Sequence, residues 1–353
     1  MIQTRWLPES LAALVERRDL TPEQMRGVME EAIAGAGGDG LLAAVLVALR
    51  MKGETSAEIA AAAAALREHM VRLDTGREDV LDTCGTGGDG TSTFNISTAA
   101  ALVAAGAGVA VVKHGNRAVS SKSGSADVLA ALGVAVERDA GFARRCLDCA
   151  GLAFCFAPHF HAALGQVAAL RRRLGVRTIF NCLGPLANPA GAAYQLLGVG
   201  RPELLDTLAG ALAQLGTRHA VLVCASDGLD EVSLSGATLV REVRGQTVTA
   251  GEWTAEDFGL APCRTADLQA HGPAESAALV RAVLDGRHGP AARVVFANAA
   301  AALLAAERVR SLAEGVALAE ESVLSGRALG VLERLVACSR EAAGTIETPG
   351  SLL

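Results

Sequence analysis

The stretch "VLDTCGTGGDGTSTFNISTAAALVAAGAGVAVV", Val80 to Val112, decides the fold. It opens on a short apolar run, crosses a loop crowded with glycines and hydroxyls, enters an alanine-rich segment and closes on a second β-like run, Val109 to Val112. Strand, loop, helix and strand in that order predict a parallel unit of an α/β sheet. Glycine has no side chain to hold a ligand off, so the N–H groups of Gly85 to Gly90 can approach an anion closely. Ser97 or Thr98 can cap the Ala99 to Ala105 helix, whose dipole and free N–H groups then point back at the loop. The anion these features suit is phosphate.

Two familiar nucleotide devices are formally present. Gly85-x-Gly87-x-x-Gly90 matches the dinucleotide fingerprint, but the following strand ends in Lys113-His114 where an acid would hold the ribose. Gly85-x4-Gly90 has P-loop spacing, but Thr91 stands where the lysine belongs. A glycine turn without a ligand leaves Asn95 to Thr98 unexplained.

Outward from this unit, β-like runs at Val134 to Val136, Gln195 to Val199, Ala220 to Cys224 and Arg293 to Phe296 alternate with helical runs at Glu203 to Leu215 and Ala299 to Glu307. The fold class is α/β, with a mostly parallel sheet flanked by helices. Toward the N-terminus, Thr21-Pro22-Glu23-Gln24 and Thr55-Ser56-Ala57-Glu58 are capping boxes, and Met25, Val28, Met29, Ala32 and Ile33 keep helical spacing. Residues 1–72 form a small all-helical domain, Asp74 to Asp79 a connector, and 78–353 the larger α/β domain.

Composition bounds the rest. The 353 residues are 51% hydrophobic and only 3% aromatic, which predicts a large aliphatic core. A net charge of −6 offers no counter-charge to nucleic acid or an acidic membrane, so anions must be met locally. The longest apolar run, Ala99 to Val112, is too short to span a bilayer, and the expectation is a soluble, cytoplasmic protein. Eight scattered cysteines predict reduced thiols without disulfides. Cys146-x-x-Cys149 has no second pair for zinc, and His159-x-His161 has no nearby carboxylate.

Three further stretches carry chemistry. "KHGNRAVSSKSGSAD", 113–127, places Lys113, Arg117 and Lys122 after a strand with no acid before Asp127. No Asp or Glu occurs between Asp148 and Glu203, whereas Arg171, Arg172, Arg173 and Arg177 cluster there. That cluster is either a basic helix face or the seat of a bidentate contact to a carboxylate. "SDGLDEVS" sets Asp230 and Glu231 beyond a strand, as a surface turn or as ligands for magnesium.

Together with "MKGET" at 51–55, these stretches resemble the anthranilate phosphoribosyltransferase family, in the expected order over most of the chain. The resemblance implies a magnesium-dependent enzyme of tryptophan biosynthesis that joins phosphoribosyl pyrophosphate to anthranilate. It implies diphosphate and ribose phosphate contacts from Gly85, Gly88, Asp89, Thr93, Asn95, Ile96, Ser97, Thr98, Lys113, His114, Gly115, Asn116, Arg117, Ala118, Val119, Ser120, Ser121 and Ser125. Anthranilate would meet Gly85, His114, Asn116 and Arg171. Two magnesium ions would involve Ser97, Asp230 and Glu231, and catalysis would rest on Lys113, Arg171, Asp230 and Glu231. The resemblance further implies a return of the chain to the helical domain at about 168–190, and a homodimer through that domain.

Two departures flank the implied anthranilate entrance: Ala162 follows His161 where the family usually has proline, and Ala187 replaces a common threonine. A silent relative binding nucleic acid or another anion, or a transferase with a different acceptor amine, are the alternative functions. His114 is open to two roles, a substrate contact or a packed loop histidine.

Overall fold

The computed structural model describes residues 4–118 and 122–340. Four helices come first: α1 (Trp6–Val15), α2 (Pro22–Ile33), α3 (Gly38–Lys52) and α4 (Ser56–Glu68). Both capping boxes form, Thr21 with Gln24 and Thr55 with Glu58. Glu58 is fully buried and accepts from the N–H groups of Leu20 and Thr55 and from Lys52 Nζ, so both oxygens of this interior acid are satisfied.

The remainder runs β1 (Leu81–Gly85), α5 (Ile96–Gly106), β2 (Val111–Gly115), α6 (Ser125–Ala131), α7 (Ala140–Ala150), β3 (Leu152–Phe156), α8 (Ala157–Phe160), α9 (Gly165–Leu174), α10 (Phe180–Leu186) and β4 (Tyr194–Gly198). It continues with α11 (Leu205–Gln214), β5 (His219–Ala225), β6 (Thr238–Arg244), β7 (Thr247–Trp253), α12 (Pro273–Leu284), α13 (Pro290–Ala305), α14 (Leu312–Leu324) and α15 (Arg327–Arg340). The strand order is β3-β2-β1-β4-β5-β6-β7. The first five strands in that order are parallel, and β6 and β7 add an antiparallel edge.

Successive side chains of a strand face opposite ways, which splits the core in two. Leu196, Val221 and Val223 pack with α5 and α13. Leu197, Leu222 and Cys224 pack with the N-terminal helices, α10 and α11. Val167 and Leu170 of α9 and Phe180 and Leu183 of α10 join the apolar core of α1 to α4.

From β1 the chain moves to β2 and β3 on one side, then to β4 and β5 on the other. The order therefore reverses between β1 and β4, where the carboxyl ends of parallel strands leave a crevice for a ligand. Gly85 and Gly198 are register partners at that spot.

Several expectations are corrected. Val134 to Val136 is not a strand, and Arg293 to Phe296 lies inside α13, started by Pro290 at its first turn. A helix buried all round has no polar face, so a short Val-Val-Phe run in it imitates a strand. The first residue of α5 is Ile96, with Asn95 at its N-cap, ahead of Ser97 and Thr98. β3 and the hairpin of β6 and β7 were not anticipated. Cys149 of α7 is joined to Cys338 of α15 in a disulfide spanning 189 residues, against the expectation of reduced thiols throughout. Those two helices pack against each other, a contact that local cysteine spacing cannot reveal. Among the described residues no helix is long and apolar enough to cross a membrane.

Candidate active site

Above the β1–β4 crevice lies a cleft of about 530 Å³. Every sequence-predicted site residue within the described region lines it, except Thr98. Thr98 is buried behind the loop, where its hydroxyl donates to Asn95 Oδ1 at 3.1 Å. Val119, Ser120 and Ser121 lie outside the described residues.

One wall is built by the sheet and its loops. Lys113 on β2 is buried, and its ammonium donates to Thr83 O and to Ser97 Oγ, the latter at 3.2 Å. Burial lowers its pKa, opposed by the charges of Asp82, Glu231 and Asp230. Asp230 Oδ2 accepts from the Gly87 N–H at 2.9 Å, and Glu231 Oε1 accepts from the Ser97 N–H at 3.1 Å. Burial, with nearby Asp89, raises the Asp230 carboxyl to about 6. Burial, with Asp230 beside it, raises Glu231 to about 8.

The glycines make room for this. A Cβ on Gly85 would come within 2.8 Å of Asp230 Oδ2, and one on Gly198 would overlap the Asp230 carbonyl. Asn95 binds the loops together: its N–H donates to Ser276 Oγ at 2.9 Å and its amide to Ser123 O at 3.1 Å. Thr93 bridges to Gln269 across the rim, and Asp89 accepts from the Thr91 hydroxyl.

The loop after β2 has a different internal logic from a free cationic patch. Arg117 pairs with Asp127 at 3.0 Å and Glu137 at 2.5 Å, while the Asp127 carboxylate also accepts from the N–H groups of Ala118 and Gly124. Asn116 Oδ1 accepts from the Arg117 N–H, and Gly115 lies so close to Ser125 Oγ that a Cβ would overlap it. Arg117 thus shapes the loop with its own acids, and Lys113 is the buried cation of this wall.

The facing wall comes from α8 to α10. Arg171 on α9 is half-buried, lies 5.6 Å over the Phe180 ring, and has no ion-pair partner among the described residues. Burial and the Arg177 charge lower its pKa. His114 joins the two walls. Its Nδ1 meets Gly184 O at 3.0 Å, so Nδ1 carries the proton and Nε2 is an unpartnered, buried acceptor. Burial, then neighbouring His161, lowers its pKa to about 3. His161 Nε2 in turn meets Ala187 O at 3.1 Å, so the residue before Ala162 contacts Ala187.

Sequence reasoning predicted Arg171 on this arm but missed, as a site residue, Arg177, whose guanidinium donates to Thr86 O and Gly87 O. Its signal was present in the acid-free arginine cluster but was not separable from its neighbours.

Residues 77–329 match the family model described as "Glycosyl transferase family, a/b domain", and residues 8–70 match "Glycosyl transferase family, helical bundle domain". The anthranilate phosphoribosyltransferase of Chloroflexus aurantiacus is 50% identical over 94% of this chain and 98% of its own. The chain belongs to the anthranilate phosphoribosyltransferase family. A relative of the same name from Symbiobacterium thermophilum is 49% identical over 92% of this chain and 95% of its own. The crystal structure of the Thermus thermophilus member superposes with a TM-score of 0.88 at 45% identity, covering 94% of this chain and 99% of that one. The Saccharomyces cerevisiae member, solved in complex with PRPP and Mg, superposes at 0.86 with 29% identity, covering 94% and 97%.

The acids fit the magnesium that the family implies. Among the described residues no three His, Cys, Asp or Glu side chains form a closed cage. Magnesium does not ask for one, since it takes one or two carboxylates and completes its shell with water and substrate phosphate. Burial raises both carboxyls, with Asp89 adding to the shift of Asp230 and Asp230 to that of Glu231, a cost that a divalent cation offsets.

Proposed function

We propose that this chain transfers the 5-phosphoribosyl group of phosphoribosyl pyrophosphate to the amine of anthranilate, releasing pyrophosphate, as a step of tryptophan biosynthesis. The observation that carries this reading is one cleft with two unlike walls. One is lined by loop N–H groups, a buried lysine and two buried acids, and the other by an arginine over an aromatic ring.

Displacement at the ribose C1 passes through a cationic sugar while negative charge grows on the departing diphosphate. Groups fixed in advance where that charge grows lower the barrier most. Lys113 is such a group, because its hydrogen bonds to Thr83 and Ser97 hold the ammonium in place before substrate arrives. The free N–H groups of the Gly85 to Gly90 loop are others. Asp230 and Glu231, with Ser97, would hold magnesium, two ions per site. When bound, magnesium would supply positive charge to the diphosphate oxygens.

The acceptor needs less. An aryl amine is neutral at physiological pH, so orientation dominates over base catalysis. Arg171 would receive the anthranilate carboxylate as a bidentate pair, with Asn116 turning the ring so that the amine faces C1. The 1–72 helical domain and the 78–353 α/β domain would close over the cleft. A homodimer through the helical domain and a cytoplasmic location complete the proposal.

Loss of anthranilate fluorescence in the purified protein with phosphoribosyl pyrophosphate tests it. Magnesium-dependent loss, slowed about 10²- to 10³-fold in Asp230→Ala, is the expected result. A fluorescence trace that stays flat at millimolar substrate and magnesium would remove the reaction from this chain.

A further inference from the structure

Arg177 lies between α9 and α10, on the arm that carries the acceptor wall, yet it touches the opposite wall. Its Nη1 donates to Gly87 O at 2.8 Å and its Nη2 to Thr86 O at 3.0 Å. A trans peptide points its C=O and its following N–H in opposite directions. With Thr86 O held by Arg177, the Gly87 N–H points away from it, into Asp230 Oδ2 at 2.9 Å. That peptide is gripped from both sides. With Gly87 O also held, the Gly88 N–H is turned away from Arg177 and has no protein partner among the described residues. Gly87 and Gly88 both sit in the left-handed region, at φ 63° and 80°, and a Cβ on Gly88 would overlap the guanidinium. Thr86 is fixed independently, its N–H donating to Gly198 O and its hydroxyl accepting from the Gly200 N–H.

We propose that Arg177 is a positioning residue for the donor substrate: by holding the Thr86 and Gly87 carbonyls it sets two peptide planes of the glycine loop, one seating the Gly87 N–H on Asp230 and the other aiming the Gly88 N–H at the diphosphate. The inference rests on the transferase reading for the identity of the donor. Arg177 does this from the acceptor arm, so donor affinity depends on a residue six positions from Arg171. A planar fork is needed to reach two successive carbonyls, and a lysine offers only a point charge.

The test measures pyrophosphate binding by calorimetry with magnesium, and steady-state KM for both substrates, in the full-length parent, Arg177→Gln and Arg177→Lys. Loss of two charge-assisted hydrogen bonds predicts a rise of about 10- to 100-fold in the donor KM and the pyrophosphate Kd of both variants. The anthranilate KM should move less than threefold. Guanidinium ion added to Arg177→Ala should recover part of the affinity, which a fold defect would not allow. The proposal is overturned if lysine restores donor binding, because Arg177 is then a simple counter-charge. It is equally overturned if the anthranilate KM rises alone, or if donor affinity is unchanged. Pyrophosphate binding is read without turnover, so a parent protein that bound the diphosphate but formed no product would sink the transferase reading and leave this inference intact.

Discussion

The two walls of the cleft are built on different terms. On the donor wall almost every polar group is tied to backbone or to another side chain. Asp230 is held by Gly87 N–H, Glu231 by Ser97 N–H, Lys113 by Thr83 and Ser97, and Asn95 by Ser123 and Ser276. On the acceptor wall Arg171 stands on a short helix with a ring beneath it and no ion-pair partner among the described residues. The difference matches the chemistry. Charge develops on the leaving diphosphate, so the groups facing it gain by being immobile, whereas the acceptor only has to be delivered.

Asp230→Ala is the hardest test of that contrast. It removes a carboxylate from the donor wall and also frees the Gly87 N–H, so loop and metal site are damaged together. We expect turnover to fall by about 10²- to 10³-fold, the scale seen when one preorganised electrostatic group is lost. Steady-state rates at saturating anthranilate would read it. A loss under threefold would mean that the bracing of this wall has no catalytic value.

Arg171→Ala should act on the other wall alone. Removing one charge-assisted bidentate partner should raise the anthranilate KM about 10- to 100-fold, with kcat and the donor KM within threefold. A fall in kcat with unchanged KM would place Arg171 in the transition state and erase the division of labour.

His114, which spans the walls, gives a signature in stability. Its ring stays neutral to about pH 3 in the folded chain, against 6.5 for its ordinary value, and the cause is burial followed by His161. As pH falls the unfolded chain takes the proton first, so stability is fully present above about 6.5 and is lost between there and about 3. Asp230 and Glu231, raised by burial, contribute with the opposite sign, so the difference between parent and His114→Gln isolates the histidine. Urea midpoints at pH 7 and pH 5 should show the variant losing less, by up to about 1.4 kcal/mol per pH unit. Parallel losses in both proteins would show that the ring protonates without hindrance.

The contrast also separates what the sequence discloses from what it conceals. The donor wall is contiguous in sequence: its glycines, hydroxyls and Lys113 lie between Gly85 and Ser125, and local rules for strand, loop and helix start were enough to find it. Among the described residues that line it, Asp230 and Glu231 come from far away, and their adjacency marked them as candidates. The acceptor wall depends on how α9 and α10 fold back, which no period in the sequence encodes. Arg171 and Arg177 sit in one basic cluster, yet one lies over Phe180 with no ion-pair partner among the described residues while the other is committed to two loop carbonyls. The Cys149–Cys338 bond was invisible for the same reason, being set by packing across a long separation, whereas the β6–β7 hairpin is local, turning at Gly245 and Gln246, and was simply not read from its sequence. The false strand at Arg293 to Phe296 shows the converse, a local pattern overruled by complete burial in α13.

The smallest effect should come from restoring the commoner family residue at the entrance. Ala162 is exposed and begins a short helical turn, where a missing N–H is tolerated. The adjoining His161 is anchored elsewhere, to Ala187 O. Ala162→Pro should therefore shift the anthranilate KM less than threefold and leave the donor KM unchanged. A tenfold change would mean that the entrance turn is tensioned through His161 onto His114, whose ring lies 5.0 Å away. The acceptor wall would then be braced as tightly as the donor wall, through rings in place of backbone, and the two walls would differ in materials but not in rigidity.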